Sequence, residues 1–268
     1  MTRPFLLVER FENGVASLTM NRPDELNALT EPSYYREFAD IFAELDKDIS
    51  VRCIILTGSG KAFCAGGNVK DMRDKKNLFA GNALEIRDRY ANIVHLIPKA
   101  FSELNVPIIA AVNGPAIGAG CGVASMCDIR IASTKAKFAE SFVRLGIIPG
   151  DGGAWVLPRI LGLSKALEIS LTGEMLDAEQ SLACGLISRL VDPEDLMSTA
   201  RKLADRIAAN PPHALRMTKR LIRESGRTDL PTLLDLSASY QSIAHMTDDH
   251  AEAISAFFER RAGNYKGR

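Results

Sequence analysis

The chain has 268 residues, 46% of them hydrophobic, and its Lys+Arg and Asp+Glu totals are equal at 33 each. This is enough apolar material to bury a sizeable core in one large domain or one domain plus an appendage. The balanced charge supplies no basic surplus for nucleic acid or a membrane surface. The N-terminus breaks into charge by Glu9 without the apolar core or cleavage site of a secretory signal, and no apolar run approaches the roughly 20 residues of a membrane helix. A soluble, cytoplasmic protein is therefore expected. The 5 cysteines are odd in number and form no C-x-x-C, so neither a disulfide framework nor a zinc site is indicated, and no metal is expected.

In chain order, residues 5–10 and 15–20 read as two strands of a hairpin across Glu12, Asn13 and Gly14. Residues 32–49 carry Phe38, Ile41, Phe42 and Leu45 at helical spacing. Residues 82–104 do the same with Ile86, Tyr90, Ile93, Val94 and Ile97, and Pro98 is expected to break or kink that helix. His95, next to Val94 on this helix, reads as a packed or hydrogen-bonded histidine. Strand-like and helix-like runs alternate as in α/β architecture until about Asp195, after which only helical patterns remain, divided near Pro211-Pro212 and Pro231.

Two glycine-rich segments interrupt this pattern, VRCIILTGSGKAFCAGGNVKDM at 51–72 and PIIAAVNGPAIGAGCG at 107–122. In each, an apolar strand-like run meets glycines where the strand would end, so the main chain can turn sharply and leave N–H groups uncovered. Neither is a nucleotide loop: Lys61 is followed by Ala62 rather than Ser or Thr, and the second segment lacks the G-x-G-x-x-G spacing. Two backbone donors converging on one oxygen describe an oxyanion hole better than a phosphate cradle.

These segments resemble the two oxyanion-hole motifs of the crotonase superfamily, the enoyl-CoA hydratase/isomerase proteins. So do NRPDELNAL (21–29), CDIRIAS (127–133), LGIIPGDGGAWVLPRILG (145–162), the run from Thr172 to Leu186 and the C-terminal AFFERRAGNYKGR. The resemblance implies a spiral of ββα units over 1–194 and a C-terminal helical region over 195–268 that assembles trimers, often stacked as hexamers. It implies an acyl-CoA thioester as ligand, with no cofactor beyond the coenzyme A of the substrate. Matching the motifs position by position puts the donors at the N–H groups of Gly67 and Ala119. If 117–126 is a helix, Ala119 lies near its positive end. The two glutamates of the hydratases fall on Gly122 and Phe142, so both acids are absent from those places.

Asp151 is the remaining candidate for proton transfer, although the related isomerases and dehalogenases carry their Asp at the position of Gly150. The alternative is that Asp151 caps the helix running towards Leu161. Asp71 reads as the start or cap of its segment, and Glu140 as the partner of a neighbouring Lys or Arg. The resemblance further assigns the substrate and its CoA to Leu26, Ala28, Lys61, Ala65, Asn68, Val69, Gly122, Phe142, Trp155, Phe257 and Arg260, with Arg22 assisting near the phosphates and Phe257 acting across a subunit boundary. Asp24 stands where many relatives have Lys, which removes one phosphate contact. The function implied is that of an enoyl-CoA hydratase or isomerase working through a stabilised thioester enolate. Another crotonase reaction such as acyl-CoA hydrolysis, and non-catalytic acyl-CoA binding, are the alternatives.

Overall fold

In the computed structural model, which describes residues 3–268, the hairpin forms as its pattern predicts. Strands β1 (Leu6–Arg10) and β2 (Val15–Met20) pair antiparallel, Leu6 opposite Met20 and Val8 opposite Leu18. The remaining strands are β3 (Cys53–Gly58), β4 (Ile108–Val112), β5 (Pro115–Ile117), β6 (Ile129–Ser133), β7 (Lys137–Ala139), β8 (Met175–Asp177) and β9 (Arg189–Val191). The main sheet has the order β1-β2-β3-β4-β6-β9 and is parallel from β2 onward, while β5-β7-β8 form a second, smaller sheet.

Strands β3 and β4 are buried along their whole length, which explains why they read as unbroken apolar runs rather than alternating ones. The pleat sends Leu18, Ile54, Leu56 and Ile108 to one face, where they meet Phe38 and Phe42 of α1 (Pro32–Lys47) and Phe101. Val15, Ile55, Ile109 and Ile131 point to the other face, against Ala200, Ala204 and Ala208. Those alanines come from α8 (Leu196–Ala208), so the strand-free part of the chain begins with a helix that belongs to the core of the sheet.

The other helices are α2 (Val69–Asp74), α3 (Ala83–Arg89), α4 (Leu96–Glu103), α5 (Ala119–Met126), α6 (Gly153–Thr172), α7 (Ala178–Ala183), α9 (Pro212–Glu224), α10 (Leu230–His245) and α11 (Asp248–Glu259). The expected helix over 82–104 is indeed broken, but before its proline: a π-helical turn, Tyr90–Val94, separates α3 from α4, and the His95 N–H reaches back to Tyr90 O at 2.9 Å. Pro98 has no N–H to give Val94 and its ring crowds that carbonyl, so the widened turn falls one turn earlier. Helix α9 is fastened to the sheet by Lys219 Nζ and Arg223 Nη2, each 2.8 Å from a different carboxylate oxygen of Asp128. By contrast, α10 buries no residue, and Leu234, Ile243, Phe257 and Phe258 on α10 and α11 stand exposed. Among the described residues no helix is long and apolar enough to cross a membrane.

Candidate active site

The two glycine-rich loops are stitched into one unit. The wholly buried Asn27 gives its Nδ2 to Ser59 O and Ala62 O, both at 2.9 Å, and so pins the chain leaving β3. Phe63 N and Cys64 N then both donate to Pro115 O at 3.1 Å, and Ile117 N returns to Cys64 O at 3.0 Å. Ala65 N donates to Leu26 O and Leu29 N to Gly66 O, which ties the NRPDELNAL segment to the first loop. Gly66 has φ +81°, and a Cβ there would lie 3.2 Å from the amide nitrogen of Ala119, so glycine is what allows the loops to touch.

Beyond these ties, no backbone carbonyl among the described residues accepts the N–H of Gly67 or Ala119. Ala119 is the first residue of α5, where a free N–H and the helix dipole both favour negative charge. The surroundings of both donors are apolar. A Cβ on Gly67 would meet Met72 Cε at 3.2 Å and Phe79 Cζ at 3.8 Å, and one on Gly118 would meet the Phe142 ring at 3.6 Å. Hydrogen bonds from N–H groups in such apolar surroundings are strengthened by the low dielectric.

The carboxylates differ from expectation in an informative way. Asp151 is buried. Its Oδ1 accepts the Gly153 N–H at 3.2 Å, but the N-cap of α6 is Gly152, so Asp151 is not the cap the sequence suggested, and its Oδ2 has no partner among the described residues. That oxygen projects towards α5 at Gly122. A methyl group added to Gly122 would collide with Oδ2 and lie 3.0 Å from Cγ. The carboxylate of Asp151 thus fills the space that a side chain at 122 would need. Residue 150 has no such freedom, because a Cβ there would lie 2.8 Å from Cε1 of Tyr90.

The expected ion pair of Glu140 does not form. This residue follows β7, is entirely inaccessible, and neither of its oxygens has a partner among the described residues. It lies beside Gly153, where a Cβ would stand 3.0 Å from Glu140 Cδ and 3.3 Å from Asp151 Oδ1, so the two carboxyl groups flank one glycine. Burial, reinforced by the charge of Asp151, pushes Glu140 up to about 9. Burial also raises Asp151, to about 6, against the lowering effect of its bond to Gly153 N–H. Nothing in AESFVRLG marks Glu140 as a buried acid; the signal lies in the glycine at 153, which the sequence alone does not link to it.

The other assigned residues are dispersed. Leu26 is exposed in a left-handed turn with φ 52°, and Ala28 and Ala65 lie beside it. Asn68 caps α2 by accepting the Lys70 N–H at 3.0 Å, which corrects the expectation that Asp71 does so; Asp71 instead accepts from Asn77 at 2.9 Å. Lys61, Val69, Phe257 and Arg260 are exposed. Arg22 is already engaged, donating to Pro4 O and Asn21 O and lying over the Tyr34 ring at 5.1 Å. Trp155 packs against Arg159, 4.0 Å away, and borders a cavity of about 740 Å³ at the C-terminal end of α5 with Met126 and Arg227. His95 is hydrogen-bonded as expected, its Nε2 3.1 Å from Gly150 O.

Residues 10–268 match the model of the enoyl-CoA hydratase/isomerase family. The chain is 36% identical to the 1,2-epoxyphenylacetyl-CoA isomerase of Escherichia coli K12 over 262 residues, 98% of each chain. It is also 36% identical to a short-chain-enoyl-CoA hydratase of Clostridium acetobutylicum, over 93% of each. A crystal structure of an enoyl-CoA hydratase from Bacillus anthracis superposes with a TM-score of 0.92 at 31% identity, covering 99% of this chain and 100% of the other.

Proposed function

The chain belongs to the enoyl-CoA hydratase/isomerase family, and from that premise we propose that it shifts a proton within an acyl-CoA thioester, as an enoyl-CoA isomerase does. The thioester oxygen lies between the N–H groups of Gly67 and Ala119. Asp151 removes a proton from the acyl carbon, the enolate is held in the hole, and Asp151 returns the proton at another carbon of the conjugated system. A carboxylate that burial has raised towards neutral pH is suited to both steps. Each oxyanion donor contributes on the order of 3–4 kcal/mol to such a transition state.

The observation that carries this reading is the seating of Asp151 over Gly122. It supplies one carboxylate from the loop before α6 in place of the absent side chain on α5. Hydration needs a base for water and an acid for the α-carbon together, and the wholly buried Glu140 is out of reach of a solvent-derived nucleophile. Lys61, Phe257 and Arg260 remain the residues proposed for the CoA moiety, with Phe257 and Arg260 donated by a neighbouring copy in a homotrimer or homohexamer.

The test is turnover of a panel of 2-enoyl-, 3-enoyl- and saturated acyl-CoA thioesters by the parent and by Asp151→Asn. Isomerisation should exceed crotonyl-CoA hydration in the parent. Because the Asn carbonyl oxygen can accept the Gly153 N–H as the carboxylate does, the Asn variant should stay folded and bind acyl-CoA while losing about 10²-fold or more in turnover. Full turnover in the folded Asn variant would remove Asp151 from the mechanism. Saturable binding with no turnover of any thioester would make the protein a binding module.

A further inference from the structure

We propose that Glu140 and Asp151 form one proton-sharing unit, in which Glu140 acts as a positioning residue that holds the shared proton and leaves Asp151 as the single charge facing the substrate. The proposal rests on the role given to Asp151 above. Its basis is the geometry around Gly153: two carboxyl groups flank that residue, both are buried, and three of their four oxygens have no partner among the described residues.

The groups facing this pair are Tyr35 from α1, Tyr90 from the π-helical turn, Cys64 from the first loop and Cys121 from α5. Burial raises all four, and the carboxylates raise them further, so each is neutral across the range in which the acids titrate. His95 is occupied with Gly150 O, which makes its Nε2 the donor and directs it to the backbone rather than to either acid. No Lys or Arg faces the pair among the described residues. Two like charges buried side by side, with no Lys or Arg facing them, do not both ionise. The proton stays on the more deeply enclosed Glu140, and Asp151, which has the Gly153 N–H to stabilise its anion, carries the charge.

During turnover the unit alternates between one proton and two. When Asp151 takes the substrate proton the pair becomes neutral, and when it returns that proton the single charge is restored, with Glu140 unchanged throughout. Loss of the Glu140 proton at high pH would place a second negative charge behind Asp151 and beside a site that must hold an enolate. The titrations therefore belong to the pair as a whole.

Two measurements on the full-length protein separate this proposal from the role of Asp151 in turnover. The first is unfolding stability as a function of pH, which needs no activity. A carboxyl group raised in the folded state binds its proton there but not in the unfolded chain. Stability is therefore complete below the ordinary carboxylate range and declines as pH rises towards about 9, with the folding constant falling up to about a hundredfold per pH unit while both acids titrate, below about 6, and up to about tenfold per unit above that, where Glu140 alone contributes. Glu140→Gln should abolish the decline above about pH 6. Asp151→Asn, which removes the neighbouring charge, should move the alkaline end of the decline to lower pH. An unchanged decline in Glu140→Gln, or an unmoved end in Asp151→Asn, would overturn the pair. The second measurement is the pH profile of kcat. The parent should lose turnover on the alkaline side near the titration of Glu140, and Glu140→Gln should lose that limb while keeping the acid one. A merely structural Glu140 would leave the shape of the profile intact. Should Asp151→Asn prove fully active, the stability data would still decide whether the two acids share a proton.

Discussion

At the scale of single residues, the candidate site is shaped by an exchange between two positions remote in sequence. Gly122 gives up its side chain and Asp151 moves a carboxylate into the space, so each residue makes sense only through the other. Gly122→Ala should drive a methyl group into Oδ2 of Asp151 and cost about 1–3 kcal/mol of stability, as overpacking of a closed site does. Turnover should fall with it because the carboxylate is displaced. Adding Asp151→Gly should restore much of the lost stability but none of the turnover. A double-mutant cycle by chemical denaturation should then give a coupling on the order of 0.5–3 kcal/mol, and strict additivity would show that the two positions do not compete for space. The sharp turn at Gly66 and the helix start at Ala119 were legible in the sequence because glycines that end apolar strand-like runs are visible locally. Glu140 was not. It is buried beside Gly153 at the start of α6, a neighbour remote from it in sequence, and a sequence reader assigns such a glutamate to the nearest cation.

At the scale of elements, strands and helices largely follow their patterns, and the departures have local causes. Pro98 was read correctly as a breaker, yet the chain yields at Tyr90–Val94 because the carbonyl that loses its donor lies a full turn upstream. The start of α2 was assigned to Asp71, but Asn68 occupies the extended N-cap position and its side chain accepts the Lys70 N–H, whereas Asp71 already lies inside the first turn. The latch between α9 and the sheet could not be read at all, since CDIRIAS shows Asp128 without its partners. Asp128 Oδ2 accepts from Lys219 and from Ile108 N at 2.8 Å, and Oδ1 accepts from Arg223, so one carboxylate holds the helix and the first residue of β4. Lys219 is buried, and desolvation lowers it to about 8 in spite of Asp128. Asp128→Ala would strand that ammonium and should cost about 3–5 kcal/mol in urea unfolding. A loss below about 1 kcal/mol would show that α9 docks without the latch.

At the scale of the whole molecule, the chain divides after α9. Helix α8 closes the second face of the sheet and α9 is latched to it, whereas α10 and α11 present Leu234, Ile243, Phe257 and Phe258 to solvent. An exposed apolar face of this kind is costly for a chain by itself and is the signature of a surface that another protein covers. The proposed occupant is a second copy of the same chain, which would also bring Phe257 and Arg260 to a neighbour's substrate. Light scattering should then give three or six copies of the 29.2-kDa chain. Replacing Leu234 and Phe258 together by Glu should yield monomers with an intact far-UV circular dichroism spectrum, because α10 contributes no buried residue to the monomer and Phe258 is exposed. If a neighbour completes the CoA site, those monomers should bind acyl-CoA at least about tenfold more weakly than the parent, a difference of about 1.4 kcal/mol. Phe257→Ala in the assembled protein should raise KM with kcat little changed, as loss of binding shared by ground and transition states does. A parent protein that is monomeric while fully active would refute the assembly and return Phe257 and Arg260 to the solvent-exposed surface.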